Sequence, residues 1–290
     1  MSEKANCGRE ENSVHFRISV AGHVADIEAL HSEVYSLCKD YLSELSPDIH
    51  IFTSENDIAK ERKEALKNRS PYKDSYLETL VVYRKLCDEM LAFNTFLMHG
   101  AVLGKGSKSF MFTAASGTGK TTHIKKWLNN DESVYVINGD KPLIKIDDTQ
   151  VLACGTPWCG KEHMGKNAMV PLEAIVLMER GNDNAIEEIS YGQAFSFLLK
   201  QIYWPDDTNL VKKTLYLQSK LNGKVRFYKF IFNNFKEDAF ETAYKALVGK
   251  EAFEEIALER EKRYNEILKA IAVSNHSYEE IMSFLLEHSK

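Results

Sequence analysis

Apolar and polar residues alternate from Val14 to Val20 (VHFRISV), the period of two that lays one face of a strand on a core. A helical spacing follows from about Val24 to Leu42, and His50–Phe52 is a second short strand. Glu55–Asn68 is rich in charge and predicts a solvated helix or loop. The first 70 residues therefore predict a small α/β unit. It ends at a polar, proline-containing hinge, Asn68–Tyr72.

Beyond the hinge, Tyr76–Phe93 is helical, with Leu77, Leu80, Val81, Tyr83, Leu86, Met90 and Leu91 at helical spacing. Two apolar runs, Phe96–Leu103 and Ser109–Thr113, are split by Gly104-Lys105-Gly106-Ser107 and predict a hairpin. Thr121–Leu128 predicts a helix and Ser133–Ile137 a buried strand. A second hairpin, Leu143–Ile146 with Val151–Cys154, turns at Asp147-Asp148. Ala174–Met178 is a buried strand, followed by helices over Tyr191–Tyr203 and Thr208–Leu221. A strand over Val225–Phe232 and a helix over Lys236–Val248 complete this part. Residues 250–290 predict a tail of two charged amphipathic helices. Strands interleaved with helices make the class α/β, and the two hairpins require a mixed sheet. The expected division is 1–70, 71–249 and 250–290.

Composition narrows the function. The 290 residues are 44% hydrophobic and 27% charged, enough for one large domain or two modest ones. A net charge of −5 argues against nucleic acid as a partner. No apolar run approaches the roughly 18–20 residues of a membrane span. Met1–Asn12 lacks the apolar stretch of a signal peptide, so a cytoplasmic location is expected. The five cysteines (Cys7, Cys38, Cys87, Cys154, Cys159) are odd in number and scattered, which does not suggest a disulfide framework. The spacing of Cys154, Cys159 and His163 matches no standard metal site. The first reads as a strand residue and the second as part of a turn.

The chemistry concentrates at Ala114-Ala115-Ser116-Gly117-Thr118-Gly119-Lys120-Thr121, which fits [AG]-x4-G-K-[ST], a P-loop. An apolar strand precedes it and an amphipathic helix follows, the context the motif needs. Glycines let the backbone turn its N–H groups onto phosphates, and the helix N-terminus adds its dipole. Ala115 through Thr122 are thus the expected nucleotide-binding residues, with ATP and Mg2+ the expected cofactors. Lys120 would meet the β- and γ-phosphates, and the Thr121 hydroxyl would ligate Mg2+. Such a site also needs a carboxylate. Asp140, just past the strand Ser133–Ile137, stands where open α/β sheets bind ligands. It is expected to ligate the metal or to accept a hydroxyl proton, although Asn138-Gly139-Asp140 is also good turn chemistry.

SGTGKTT (Ser116–Thr122), with an aspartate at Asp140 shortly after Lys120, resembles the HPr kinase and phosphoenolpyruvate carboxykinase group of P-loop proteins. His99-Gly100-Ala101 before the loop is similar to the corresponding strand of HPr-kinase-related proteins. The resemblance implies a P-loop core with a mixed sheet behind a separate small N-terminal domain. It implies an ATP-dependent kinase that phosphorylates a hydroxyl, by resemblance a serine of a protein or peptide, and a homo-oligomer. HPr kinases carry two adjacent aspartates where this chain has Asp140-Lys141. A small-metabolite kinase and a nucleotide sensor without transfer therefore stay open.

Three further positions complete the candidate set. Lys161, in the small-residue loop Gly155–Lys161, is a candidate for stabilising charge on the phosphoryl group, and Trp158 for excluding water. Each has an ordinary alternative, as a solvated lysine and a packed tryptophan. Arg180, past the strand Ala174–Met178, either reaches the phosphates or is solvated at a strand end. His99, in an apolar run, is expected to be a buried histidine held by a backbone partner, with acid–base chemistry the alternative. The charged run Glu254–Arg263 reads as a solvated helix face.

Overall fold

The computed structural model describes residues 13–67, 70–233 and 235–273, without the side chains of 264, 265 and 267–273. Val14–Val20 (β1) and His23–Ala29 (β2) pair as a hairpin closing at Val20 and His23. Only Ala21 and Gly22 make the turn, at φ +53° and +81°, the left-handed pair that a two-residue turn between twisted strands requires. This corrects the helix expected from Val24. Ala25, Ile27 and Ala29 all face the core, so a period of two governs this stretch once the turn has set the register. Helix is confined to Ser32–Cys38 (α1) and the 3-10 turn Lys39–Tyr41 that continues it. Ile49–Phe52 (β3) joins β2 in parallel.

Two helices follow, Glu55–Lys67 (α2) and Asp74–Met90 (α3). Asn68 and Arg69 of the expected hinge lie outside the described residues. Val82, Leu86 and Met90 of α3 share one apolar cluster with Ile18, Ile27 and Ile51 of the small sheet. Glu78, fully buried on α3, accepts hydrogen bonds from Leu30 N at 2.6 Å, His31 N at 2.8 Å and the Thr53 hydroxyl. These bonds offset the desolvation of its carboxylate and tie α3 across the three-stranded sheet.

The larger sheet is mixed and curled. Its strands are Thr95–Leu97 (β4), Ala101–Lys105 (β5), Lys108–Thr113 (β6), Val134–Asn138 (β7), Leu143–Ile146 (β8), Val151–Cys154 (β9), Met169–Arg180 (β10), Ala185–Ile189 (β11) and Arg226–Phe232 (β12). β6, β10 and β12 run parallel at its centre. On one side β5 pairs antiparallel with β6 and β7 pairs antiparallel with β5, and on the other β11 pairs antiparallel with β12. Residues Met169–Pro171 of β10 also pair antiparallel with β9, carrying the sheet on into β8 and β4. β11 was not expected, because AIEEI is too polar and exposed to show a buried run.

The remaining helices are Lys120–Asn130 (α4), Tyr191–Leu198 (α5), Thr208–Ser219 (α6), Ala239–Leu247 (α7) and Lys250–Val273 (α8). Ser190 and Gln193 form a capping box that starts α5, and the Asp207 carboxylate caps α6. One face of the sheet packs Phe112, Phe230 and Phe232 on Trp127 of α4 and Tyr244 of α7. The other packs Val102, Met111 and Ile175 on Leu198 of α5 and Leu217 of α6. In the tail, α8 is one continuous helix through Val273; the rest of the two helices expected there, 274–290, lies outside the described residues. No helix among the described residues is long and apolar enough to cross a membrane.

Candidate functional site

The segment after β6 is a strand–loop–helix connection. Ala114 is fully buried at the strand end, whereas Ala115, Ser116 and Gly117 are exposed. Gly117 and Gly119 hold φ of +76° and +109°, which glycine alone adopts without a Cβ penalty. A Cβ at Gly117 would meet nothing within 4 Å, so backbone shape and not space demands the glycine there. Thr118 folds back on Ala115, its hydroxyl 2.6 Å from the carbonyl. The first bond of α4 runs from His123 N to Gly119 O at 3.1 Å, and the N–H groups ahead of it have no partner within the helix. Thr121 and Thr122 are exposed in that first turn.

Three side chains converge beside this loop. The Lys120 ammonium lies 3.3 Å from His99 Nε2, and the same nitrogen lies 3.1 Å from Asp140 Oδ1. His99 Nδ1 meets the Gln201 side-chain oxygen at 3.1 Å, and His99 N donates to Gln201 O at 2.7 Å. Burial lowers the Lys120 pKa, and the Asp140 charge only partly opposes this. For Asp140 burial opposes ionisation. The His99 hydrogen bond and the charges of His99, Lys120 and Lys141 outweigh it, holding the carboxyl below its ordinary range.

Asp140 owes its position to backbone chemistry. The Asn138 side-chain oxygen accepts from Asp140 N at 2.8 Å and Lys141 N at 2.7 Å. Asn138 Nδ2 in turn donates to Thr156 Oγ1 at 2.9 Å, and both residues are fully buried. The turn chemistry visible in Asn138-Gly139-Asp140 therefore operates here and sets the carboxylate. Gly160, at φ +86°, passes so close that a Cβ would stand 3.0 Å from Asp140 Cβ.

His99 arrives through a break in the backbone. The run Phe96–Leu103 is not one strand: β4 ends at Leu97 and β5 begins at Ala101. Between them the N–H groups leave the ladder, Met98 N donating to Pro142 O and Gly100 N to Asp140 O. Gly100 is required, since a Cβ would lie 2.9 Å from Phe112 O. The expectation of a buried histidine is corrected: the His99 side chain is 37% exposed and faces Asp140.

No family model matches this chain. No curated protein matches it either. Among solved structures it is similar to the Hpr(Ser) kinase/phosphatase from Coxiella burnetii, at a TM-score of 0.33 and 9% identity, over 59% of this chain and 98% of that one.

The other candidates fall at different places. Arg180 is exposed and holds the loop itself, Nε donating to Thr118 O at 3.0 Å and a terminal nitrogen to Gly117 O at 2.6 Å. Trp158 is buried, stacked on Tyr83 at 4.4 Å, with its indole N–H on Thr79 O at 3.0 Å. It packs under α3, so the reading in which it shields phosphates from water is corrected. Lys161 is exposed between Gly160, which abuts Asp140, and Glu162, which pairs with Lys125 of α4 at 3.1 Å. Cys154 is buried in β9 and Cys159 half-buried in the loop. Among the described residues they form no ligand set with His163.

Sequence reading finds Asn138 only as turn chemistry and misses Gln201, Thr156 and Tyr83 as supports of the site. Tyr83, whose hydroxyl donates to Lys141 O at 3.0 Å, was counted only as a core residue. Gln201 carries no local signal at all.

Proposed function

We propose that the chain is an ATP-dependent phosphotransferase that moves the γ-phosphoryl group to a hydroxyl, by the sequence's resemblance to the HPr kinase group a serine of a protein or peptide. The supporting observation is the convergence of Lys120, His99 and Asp140 at the mouth of a glycine-rich strand–loop–helix turn. The residues present suit Mg2+–ATP. The loop exposes Ala115–Gly117, its glycines take left-handed backbone, and an ammonium stands beside it with a carboxylate held ionised. Loop N–H groups and Lys120 would hold the phosphates, and Thr121 would hold the magnesium. Bound there, Mg2+–ATP supplies the activated phosphoryl group and neutralises its charge.

Asp140 is proposed to take one of two roles through Oδ2, ligating the metal or orienting and deprotonating the acceptor hydroxyl, while His99 fixes the carboxylate through Oδ1. Arg180 would hold the loop in shape, and Lys161 would add positive charge from the facing loop. The unit before residue 70 is proposed to help hold the acceptor.

The test uses γ-labelled ATP, Mg2+ and cytosolic extract of the source organism, comparing wild type with Lys120→Ala and Asp140→Asn. Label on a protein band that both substitutions abolish is expected. A labelled small molecule would replace the protein acceptor with a metabolite. Nucleotide bound but left intact would make the chain a sensor.

A further inference from the structure

The outer face of the small N-terminal sheet carries a polar cluster that the proposed activity does not use. Phe16, Ile18, Ala25, Ile27 and Ile51 point inward, so the alternation of β1, β2 and β3 turns His15, Arg17, Asp26, Glu28 and His50 outward. The register fixes their neighbours. His15 pairs with Glu28 across β1 and β2, Arg17 with Asp26, and Asp26 with His50 across β2 and β3. Donor atoms of His15, Asp26 and Glu28 all lie within 4.8 Å of one another. His15 Nε2 is 2.9 Å, and His50 Nδ1 3.7 Å, from the same oxygen, Asp26 Oδ2.

Those separations suit a small cation. With metal–ligand bonds of about 2.0–2.1 Å, a tetrahedron has donor–donor edges of about 3.4 Å. Small adjustments of His15, Asp26 and Glu28 would centre an ion, and His50, which stands outside that mutually close group of three, would have to turn its ring in to become the fourth ligand. Arg17 Nε binds the other oxygen, Asp26 Oδ1, at 2.9 Å. That hydrogen bond orients the carboxylate as outer partners of metal ligands do. Two imidazoles and two carboxylates favour zinc, cobalt or nickel over magnesium, which prefers an all-oxygen shell. The donors come from three adjacent strands, so an ion there would clip the sheet together.

We propose that His15, Asp26, Glu28 and His50 bind one zinc-class transition-metal ion on the outer face of the β1–β2–β3 sheet, apart from the glycine-rich loop. The test is equilibrium dialysis of the full-length, tag-free chain against Zn2+, with Co2+ absorption reporting the coordination. The expected result is one ion per chain, four-coordinate Co2+ bands and a higher melting temperature with Zn2+. The pair His15→Ala with His50→Ala should weaken binding by more than about a hundredfold, and Lys120→Ala should leave it unchanged. Both histidines are exposed, and far-UV circular dichroism would verify that the double variant folds. Equal affinity in the folded double variant, or no Co2+ bands in the wild type, would overturn the proposal.

Discussion

His99 and Asp140 are joined side chain to side chain at 3.1 Å and also through the backbone of the next residue, Gly100 N donating to Asp140 O at 2.9 Å. The double link fixes both the carboxylate and the strand break that presents the histidine. His99→Gln should lower the transfer rate on the order of tenfold to a hundredfold, with little change in nucleotide affinity, as expected of a residue that positions a base. The sign of the pH effect follows from the cause. His99 lowers the Asp140 pKa, so removing it raises that pKa, and the acidic limb of the kcat/KM profile should move to higher pH. An unmoved limb would separate His99 from Asp140.

Arg180 acts on the loop and not on the carboxylate. Replacing it with alanine frees the carbonyls of Gly117 and Thr118. Each such charge-assisted bond is worth roughly 1.5–3 kcal/mol when desolvated, but Arg180 is exposed, so about 1 kcal/mol of nucleotide binding is the expected loss. Titration with a fluorescent ATP analogue would show a Kd raised about fivefold. Lysine at the position should recover little, since an ammonium cannot reproduce the planar fork.

Trp158 is an anchor between the loop and α3. Trp158→Ala should destabilise the protein by about 3–5 kcal/mol, the cost of emptying a buried aromatic site. Trp158→Phe should cost less, losing only the bond from the indole N–H to Thr79 O. Urea unfolding followed by circular dichroism gives the difference. An alanine variant as stable as wild type would place the tryptophan outside the core.

His123 predicts acid sensitivity. It is fully buried on α4, its Nε2 accepting from Trp127 Nε1 at 2.9 Å, and its Nδ1 has no partner among the described residues. Burial, helped by the Lys126 charge, depresses its pKa to about 3. The unfolded chain binds the proton near pH 6.5. The stability linked to neutral His123 is therefore present above that value and drains away as pH falls toward about 3. The loss approaches about 5 kcal/mol on the order-of-magnitude scale of linkage. His123→Gln should flatten this part of a melting-temperature–pH curve, and an unchanged slope would assign the acid loss to other groups.

The sequence by itself determined what local chemistry determines. The strand–glycine loop–helix around Lys120 was legible because its glycines, lysine and threonines are contiguous and each answers a backbone or charge requirement there. The α/β class and the β5–β6 and β8–β9 hairpins followed from apolar runs divided by turn residues, and Asp140 stood out by directly following a strand. Tertiary structure decided the rest. Val24–Ala29 became a strand because a two-residue turn fixed its register on β1, and helical spacing in so short a stretch could not compete. His99 reached Asp140 only because the chain leaves the sheet at Gly100, where Met111 and Phe112 leave no room for a side chain. Trp158 turned inward because α3 offers an aromatic ring, Tyr83, and the Thr79 carbonyl to its indole N–H. Gln201 meets His99 only when separate segments pack together. Such contacts depend on which surfaces remain to be buried once the local elements have formed, and no spacing along the chain records them.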